Sequence, residues 1–480
     1  MTHVLEIPPE LLDQMTPAVR AFVESLLVTI VQQQEIIAAQ QRRIEELERR
    51  LGMNSGNSSL PPSSDRPGQE PTPPARPESK RRRGGQFGHP KRTRPLIPSA
   101  ECDHVVHHRP VACSDCGARL DGDDPQPVRH QVTELPVVKP TVTEHQLHTL
   151  QCPACGHRCR GQLPATVPRG CFGPGVVAAV TLLSSFGRLS QRMIAGVLQD
   201  LFQLQVADGQ ISRLQSHGRN ALQAGYDDIV VDVRKSAALN IDETAWRQNG
   251  RKAWLWTVVG RLATLFAVRP SRSRSEVHQL LGAEFSGIVV CDRYSAYNHL
   301  EDERRQFCWA HLLRDFQAMI DRGGISAAVG TRLKESGQEL IHHWHRQQSQ
   351  QIQRPTFAGH FRRLRSEILD ALDNGALCHE AKTAETCRRL SNECYSLFVF
   401  VHHAGVSPTN NAAEQALRKS VIFRKLSFGT EAKTGSQNLA VILSVTETCR
   451  RLGKRPLDYI QAAVTATFNN QPAPQLLPAS

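Results

Sequence analysis

Near the start of the chain, apolar residues recur every seven positions. Val23, Ile30, Ile37, Ile44 and Leu51 form one row, and Leu26, Gln33, Gln40 and Leu47 stand three residues after its members. This period predicts one helix over 19–51, supported by Glu45 and Glu46 placed four residues before Arg49 and Arg50. A short coiled coil that self-associates fits the stripe. A lone amphipathic helix packed on its own chain fits as well, because Gln at two inner positions weakens the seam. The periodicity stops at Gly52. Residues 53–98 hold ten of the 29 prolines with many Ser and Gly, a linker that cannot form a packed core.

Further along, 128–151 alternates between apolar and polar residues and predicts two or three strands. Residues 174–225 change to helical spacing. Ser190 is placed to cap a helix, a turn falls near Val206–Gly209, and a second helix opens at Gln210, the outline of a helix-turn-helix. Such helical pairs also occur without DNA. From 236 the period is that of strands again: AALNIDETAWR, AWLWTVVG and TLFAVRP predict an antiparallel meander. The helix SRSEVHQLLG, the apolar strand GIVVC, and a short strand and helix in RRQFCWAHLLRDFQAMI follow. Three strands and then alternating helix and strand is the order of an RNase H-like fold. Residues 322–405 predict a helical insertion, and helix signals resume at Asn411.

The expected fold class is therefore multidomain: an α/β RNase H-like catalytic core with a helical insertion, preceded by coiled-coil, zinc ribbon-like and helix-turn-helix-like regions. The expected segments are 1–52 for the coil, 53–98 for the basic linker and 99–168 for a zinc-binding domain. A helix-turn-helix-like region at 169–230, the core at 231–430 with its insertion at 322–405, and a C-terminal helical region at 431–480 complete the chain.

Charge changes this picture in one place. The 480 residues carry 58 Lys plus Arg against 46 Asp plus Glu, a net charge of +12. Eight cations, Arg76, Lys80, Arg81, Arg82, Arg83, Lys91, Arg92 and Arg94, face one acid, Glu78, so this arm carries +7 of the +12. Arginines spaced by glycine can follow a phosphate backbone or enter a minor groove, which makes nucleic acid the expected partner, although a charge run can also serve solubility alone. No apolar run approaches a membrane span, and the first residues lack a secretion signal, so a cytoplasmic protein is expected.

Seven of the 13 cysteines fall between 102 and 171. Cys113 and Cys116 in CSDCG, and Cys152 and Cys155 in CPACGH, form two Cys-x-x-Cys turns, each followed by glycine. Two such turns suit a tetrahedral structural Zn²⁺, though 35 residues between them is a long separation, and reduced structural thiols are the alternative. For hard divalent ions the candidates are Asp242, Asp292 and Glu414. Asp242 lies in the first strand of the meander, Asp292 ends an apolar strand, and Glu414 opens a late helix, with Arg418 one turn further on the same face. Structural readings stay open for each: a turn for Asp242, a helix cap for Asp292, and a capping box with Asn411 for Glu414.

At these motifs the sequence resembles a bacterial DDE transposase of the insertion-sequence 66 family. The resemblance covers nearly the whole chain: MNSGNSSLPPSSD, GGQFGHPKRTR, CSDCGARLDGDD, CPACGH, NIDETAWR, VVCDRYSAY, CWAHLLRDF and SPTNNAAEQALRKSVIFRKLSFGT. Phe87 and Gln415 depart from its usual pattern. The resemblance implies Asp242, Asp292 and Glu414 as a triad for two Mg²⁺ or Mn²⁺, with Asp242 bridging, and zinc at the two Cys pairs. It implies a transposase that binds the terminal inverted repeats of its own element, frees a 3′-OH, and joins it to target DNA. Small accessory proteins of the same element are the implied partners, besides self-association through the coil. His311 and Arg418 are expected to orient the carboxylates or phosphate, and Arg424 and Lys425 to meet the DNA backbone. The alternatives are a zinc-containing DNA-binding regulator with an inactive core, and an RNase H-like nuclease that cuts without joining.

Overall fold

The computed structural model describes residues 15–51 and 94–478. Arg81, Arg82, Arg83, Lys91 and Arg92 lie outside the described residues, while Arg94 is exposed at their edge. Helix α1 (Pro17–Leu51) runs unbroken for 35 residues. Pro17 stands at its first position, where the missing N–H costs nothing. Leu26, Ile30, Ile37, Ile44 and Leu47 of the heptad rows are exposed on it.

The next segment is almost bare of regular structure. β1 (Thr149–Gln151) pairs antiparallel with β2 (Arg158–Arg160), and a single bridge joins Ala112 and Arg119. The alternation across 128–148 does not become strands. Its apolar residues, among them Val132, Leu135, Val137 and Val142, are exposed, and Pro136 and Pro140 remove backbone donors. Alternation makes a strand only where a neighbour pairs with it and a core takes its apolar face.

Three helices follow: α2 (Pro174–Ser185), α3 (Gln191–Phe202) and α4 (Asp208–Lys235). Ser190 caps α3, its hydroxyl accepting from Met193 N–H at 3.3 Å. Gln203 closes α3 in the left-handed region, with φ of 54°. The second helix of the pair opens at Asp208, two residues before the expected Gln210, because an acid in the first turn suits the positive end of the helix.

The central sheet is built from β3 (Ala238–Gln248), β4 (Arg251–Val259) and β5 (Thr264–Arg269), then α5 (Arg274–Leu281), β6 (Ile288–Cys291) and β7 (Arg305–Phe307). Its strand order is β5-β4-β3-β6-β7. β3, β4 and β5 form the antiparallel meander, and β6 and β7 add on parallel to β3. Along β3 the side chains alternate, with Leu239, Ile241 and Glu243 buried on one face and Asn240, Asp242 and Thr244 half-buried on the other.

Helix α6 (Trp309–Arg322) follows β7, and α7 (Gly324–Gln348), α8 (Arg354–Ala376), α9 (Ala381–Asn392) and the short α10 (Val399–His402) make up the expected insertion. One buried cluster joins it to the sheet: Val290 and Phe307 from the strands, Trp309, Leu312 and Phe316 from α6, Leu333 and Leu340 from α7, Leu364 and Ile368 from α8, and Phe398. The chain ends in α11 (Asn411–Ser427), α12 (Lys433–Arg451) and α13 (Pro456–Phe468).

Two compact units emerge: 1–75 with 230–422, and 76–229 with 423–480. The first holds the sheet and insertion. In the second, α12 and α13 pack on α2. No helix among the described residues is long and apolar enough to cross a membrane.

Trp309 is fully buried, and its Nε1 donates to Leu397 O at 2.8 Å. Trp309→Ala therefore leaves a cavity and removes the shorter of two hydrogen bonds to Leu397 O. The expected loss is about 3–5 kcal/mol, measured by urea unfolding followed through a probe in the sheet and insertion.

Candidate active site

The parallel register of β3 and β6 sets the site. Ala238 pairs with Ile288, Leu239 with Val289 and Asn240 with Val290. Carried two residues further, the same offset puts Asp242 level with Asp292, just past the end of β6. The register of β6 and β7, in which Cys291 pairs with Phe307, then sets Cys308 level with Asp292. Neighbouring strands are about 4.8 Å apart, so the residues that leave the sheet at its carboxyl edge stand in a row.

Glu414 reaches this row from α11. Asn410, buried just before the helix, holds it there. Asn410 Nδ2 donates to Ile241 O at 2.7 Å, its Oδ1 accepts from Asn240 Nδ2 at 3.1 Å, and its N–H donates to Cys308 Sγ at 3.1 Å. Trp309 N–H donates to Pro408 O at 2.9 Å. The backbone of Glu414 donates to Asn410 O, so the helix is capped one residue earlier than a capping box with Asn411 would require. Asp242 lies within a strand and not at a turn. Asp292 accepts from Tyr294 N–H at 2.9 Å ahead of a single 3₁₀ turn.

Electrostatics follow from this crowding. Burial first, then the charge of Glu243 and those of Asp292 and Glu414, pushes the Asp242 carboxyl well above its ordinary pKa. Glu243, on the opposite face of β3, is raised mainly by burial and is countered by Tyr297 O–H, which donates to it at 2.5 Å, and by Arg272. The same guanidinium lies 3.7 Å from Asp292 and 3.6 Å from the centre of the Tyr294 ring. His311 Nδ1 stands 3.7 Å from Glu414 Oε1; both atoms are buried and neither has a hydrogen-bond partner. Burial lowers the His311 pKa, so the ring is neutral near pH 7. Cys308 is near both, but burial raises its thiol pKa, and its sulfur is already an acceptor for Asn410.

This donor set fits a hard divalent cation. Carboxylates crowded at one edge repel each other, and an orphaned carboxylate oxygen is costly unless a cation or water meets it. Asp242, Asp292 and Glu414, the acids singled out in the sequence, are the residues that would hold such an ion. Arg418 lies a turn beyond Glu414 on α11. Arg424, half-buried, and Lys425, exposed, are in its last turn, within the second compact unit. Sequence reasoning passed over Glu243, Arg272, Tyr297, Cys308 and Asn410. Only the NIDET and PTNN runs hinted at polar residues crowded beside the acids.

The cysteine pairs form two self-contained knuckles in the second unit. Gly117 N–H donates to Cys113 O, and Cys113 N–H to Ala118 O at 2.8 Å; Cys152, Gly156 and His157 repeat the pattern. Gly117 and Gly156 have φ of 72° and 71°, a conformation that favours glycine. Backbone N–H groups within each turn, from Cys116 and Asp115 in one and from Cys155 and Ala154 in the other, lower the Cys113 and Cys152 pKa values toward the thiolate a metal needs. The structure does not gather the four sulfurs. Among the described residues, the groups of three or more donors that close within 4.8 Å are Cys308, His311 and Glu414, and Glu339, His343 and His360.

The raised Asp242 pKa gives a signed prediction. Ionising this group opposes folding: the penalty is absent below about pH 4, grows as the unfolded carboxyl ionises, and is complete above the folded pKa. At neutral pH without divalent ions, Asp242→Asn should melt at a higher temperature than wild type, with the gap closing as pH falls toward 4. Added Mg²⁺ should raise the wild-type melting temperature more than that of the variant. Thermal scans across pH check both.

Three family profiles match the chain. One described as transposase IS66 family covers residues 169–438, and one described as zinc-finger binding domain of transposase IS66 covers residues 110–156. A family of unknown function (DUF6444) matches residues 6–95. The chain is 25% identical to the uncharacterized protein y4qI of Sinorhizobium fredii over 306 residues, 57% of this chain and 56% of that protein. It is 24% identical to the uncharacterized protein y4hP of the same organism over 429 residues, 80% of this chain and 75% of that protein. The match thus spans little more than half the length of the first of these relatives. The cysteine knuckles fall in a zinc-finger domain and the acid row falls in the transposase region, whose profile covers more than half of the sequence: the chain belongs to the IS66 transposase family.

Proposed function

We propose that this chain is a DDE transposase that binds the terminal inverted repeats of an insertion sequence and catalyses strand cleavage and strand transfer. The observation that carries the proposal is that Asp292 and Glu414 both lie within electrostatic reach of Asp242 at the carboxyl edge of the sheet, with the start of α11 held to β3 through Asn410. The strand order β5-β4-β3-β6-β7, antiparallel then parallel, supports an RNase H-like core.

The reaction has two parts. Water attacks a phosphodiester at the element end and releases a 3′-OH; that hydroxyl then attacks a target phosphodiester in line. Divalent Mg²⁺ or Mn²⁺, two per site, supplies activation of the attacking oxygen and stabilisation of the leaving one when bound. Asp242, Asp292 and Glu414 hold this charge at the sheet edge. His311 sets the orientation of Glu414 while remaining neutral. Arg272 neutralises Glu243 so that this second acid does not compete, and Tyr297 fixes it from the other side. Arg418 orients phosphate or carboxylate from α11, and no Ser, Tyr or Cys is needed as a nucleophile.

DNA is gripped elsewhere. The basic arm with Arg81, Arg82, Arg83, Lys91, Arg92 and Arg94 tracks backbone phosphates, joined by Arg424 and Lys425. Helices α3 and α4 act as a helix-turn-helix, with Ile194, Leu198, Ile211 and Leu214 buried and Gln210 and Arg213 exposed. Cys113, Cys116, Cys152 and Cys155 share one structural Zn²⁺, which joins the two knuckles. The apolar stripe of α1 pairs copies of the chain as a coiled coil, as an enzyme that brings two element ends together requires. The site of action is the cytoplasm, with small accessory proteins of the same element as further partners.

With Mg²⁺ and a labelled element end, Asp292→Asn should reduce strand transfer by about a hundredfold or more, since even residues that only support a metal's ligands are worth 10–100-fold. DNA binding should persist. Joining that survives in Asp292→Asn would sink the triad, and cutting without joining in wild type would favour a nuclease. For the arm, changing Arg81, Arg82 and Arg83 to Gln should flatten the slope of log affinity against log salt by roughly three, measured by titration with duplex DNA. An unchanged slope would free the arm from any role at the phosphates.

A further inference from the structure

The insertion carries a second set of converging donors, on helices that bear none of the three acids. Glu339 and His343 stand one turn apart on α7, and His360 meets them from α8. His343 Nε2 lies 3.3 Å from Glu339 Oε1. The His343 and His360 rings are stacked, with centroids 3.7 Å apart and planes 11° from parallel. One donor atom from each of the three residues falls within 4.8 Å of the others. His343 is only 8% exposed, and its Nδ1 is buried without a hydrogen-bond partner.

A packed helix pair has no need of two stacked imidazoles and a carboxylate. A buried ring nitrogen with nothing to bond is a cost that a apolar side chain would avoid. The spacing i, i+4 on one helix, completed by a histidine from the neighbour, is instead how helical pairs present metal ligands. We infer that Glu339, His343 and His360 form a binding site for a borderline divalent transition ion of the zinc class, which ties α7 to α8.

The donor chemistry selects the ion. Two imidazoles and one carboxylate suit Zn²⁺, Co²⁺ or Ni²⁺ and are poor for Mg²⁺, which prefers oxygen. The soft second torsion of histidine lets the stacked rings tilt until their nitrogens face a common point. Arg363 donates to Glu339 and also to Glu367 at 2.7 Å, so it can keep Glu367 while Glu339 turns to the ion. Three protein donors leave a fourth position for water.

The test is metal content of the full chain after equilibration with Zn²⁺ and removal of excess, measured by mass spectrometry of the metal. Glu339→Gln and His360→Gln change partly exposed positions, and His343→Gln the buried one; circular dichroism shows that helix content is kept. Each variant is expected to lose one zinc equivalent per chain relative to wild type. The loss should add to that of Cys152→Ser, which reports the zinc-finger domain. A Co²⁺ spectrum in a chain carrying both Cys113→Ser and Cys152→Ser should show a nitrogen and oxygen site that vanishes with His360→Gln. Equal zinc content in wild type, Glu339→Gln and His360→Gln overturns the site.

Discussion

Like charges must be held together at the edge of the sheet, and most of the first unit can be understood from that constraint. Asp292 and Glu414 act on Asp242 as like charges, and burial makes the ionised form of Asp242 costlier still. Such an arrangement persists only where the backbone leaves no alternative. β3 supplies this rigidity from the middle of the sheet, hydrogen-bonded on both sides. Asn410 supplies the rest: its side-chain amide bonds the backbone and a side chain of β3 and its backbone N–H bonds Cys308 Sγ, so α11 cannot drift and relieve the crowding.

The insertion is the brace behind that edge. Its core reaches Val290 and Phe307 on the strands that carry the row, and Trp309 closes it directly after Cys308. Buried polar groups give the brace a register. Gln306 donates to Leu397 O and accepts from Phe400 N–H, and Arg305, nearly buried, pairs with both Asp302 and Glu393. A purely apolar contact could slide by one residue. These bonds cannot, so the short edge strand β7 sits at one height and the row of side chains beyond it does too.

How far the sequence foretold this depends on the kind of information each feature needs. Helix α1, the meander and the strand ending at Cys291 follow from local period, and they were legible. The three acids could be singled out because Asp242 stands within a recognisable strand, Asp292 at the end of one and Glu414 at the start of a helix. The alternation over 128–148 misled, since it carries a strand's pattern without a partner, and only tertiary context separates the two. Glu414 looked like half of a capping box because Asn410 and Asn411 are adjacent and either could cap. The choice was made 169 residues away, where Asn410 finds Ile241 O. Arg272, Tyr297 and Glu243 were illegible for the same reason: their meaning lies in contacts between faces of a sheet, which no spacing along the chain records.

The two signs of charge in this protein are kept apart along the chain. The arm carries most of the positive surplus, while the reactive edge is acidic. Under the proposed function, DNA would be attracted by the arm and repelled by the acids. A phosphodiester brought to Asp242, Asp292 and Glu414 adds negative charge to a place that already has too much of it. Binding by the arm and chemistry at the acids are thus separable in salt and in metal. The grip weakens with any salt, whereas approach to the acids waits on a cation held there. If the proposed function holds, the electrostatics imply an order: DNA held first at the arm, cations at the acids, and only then the scissile phosphate at the edge of β3.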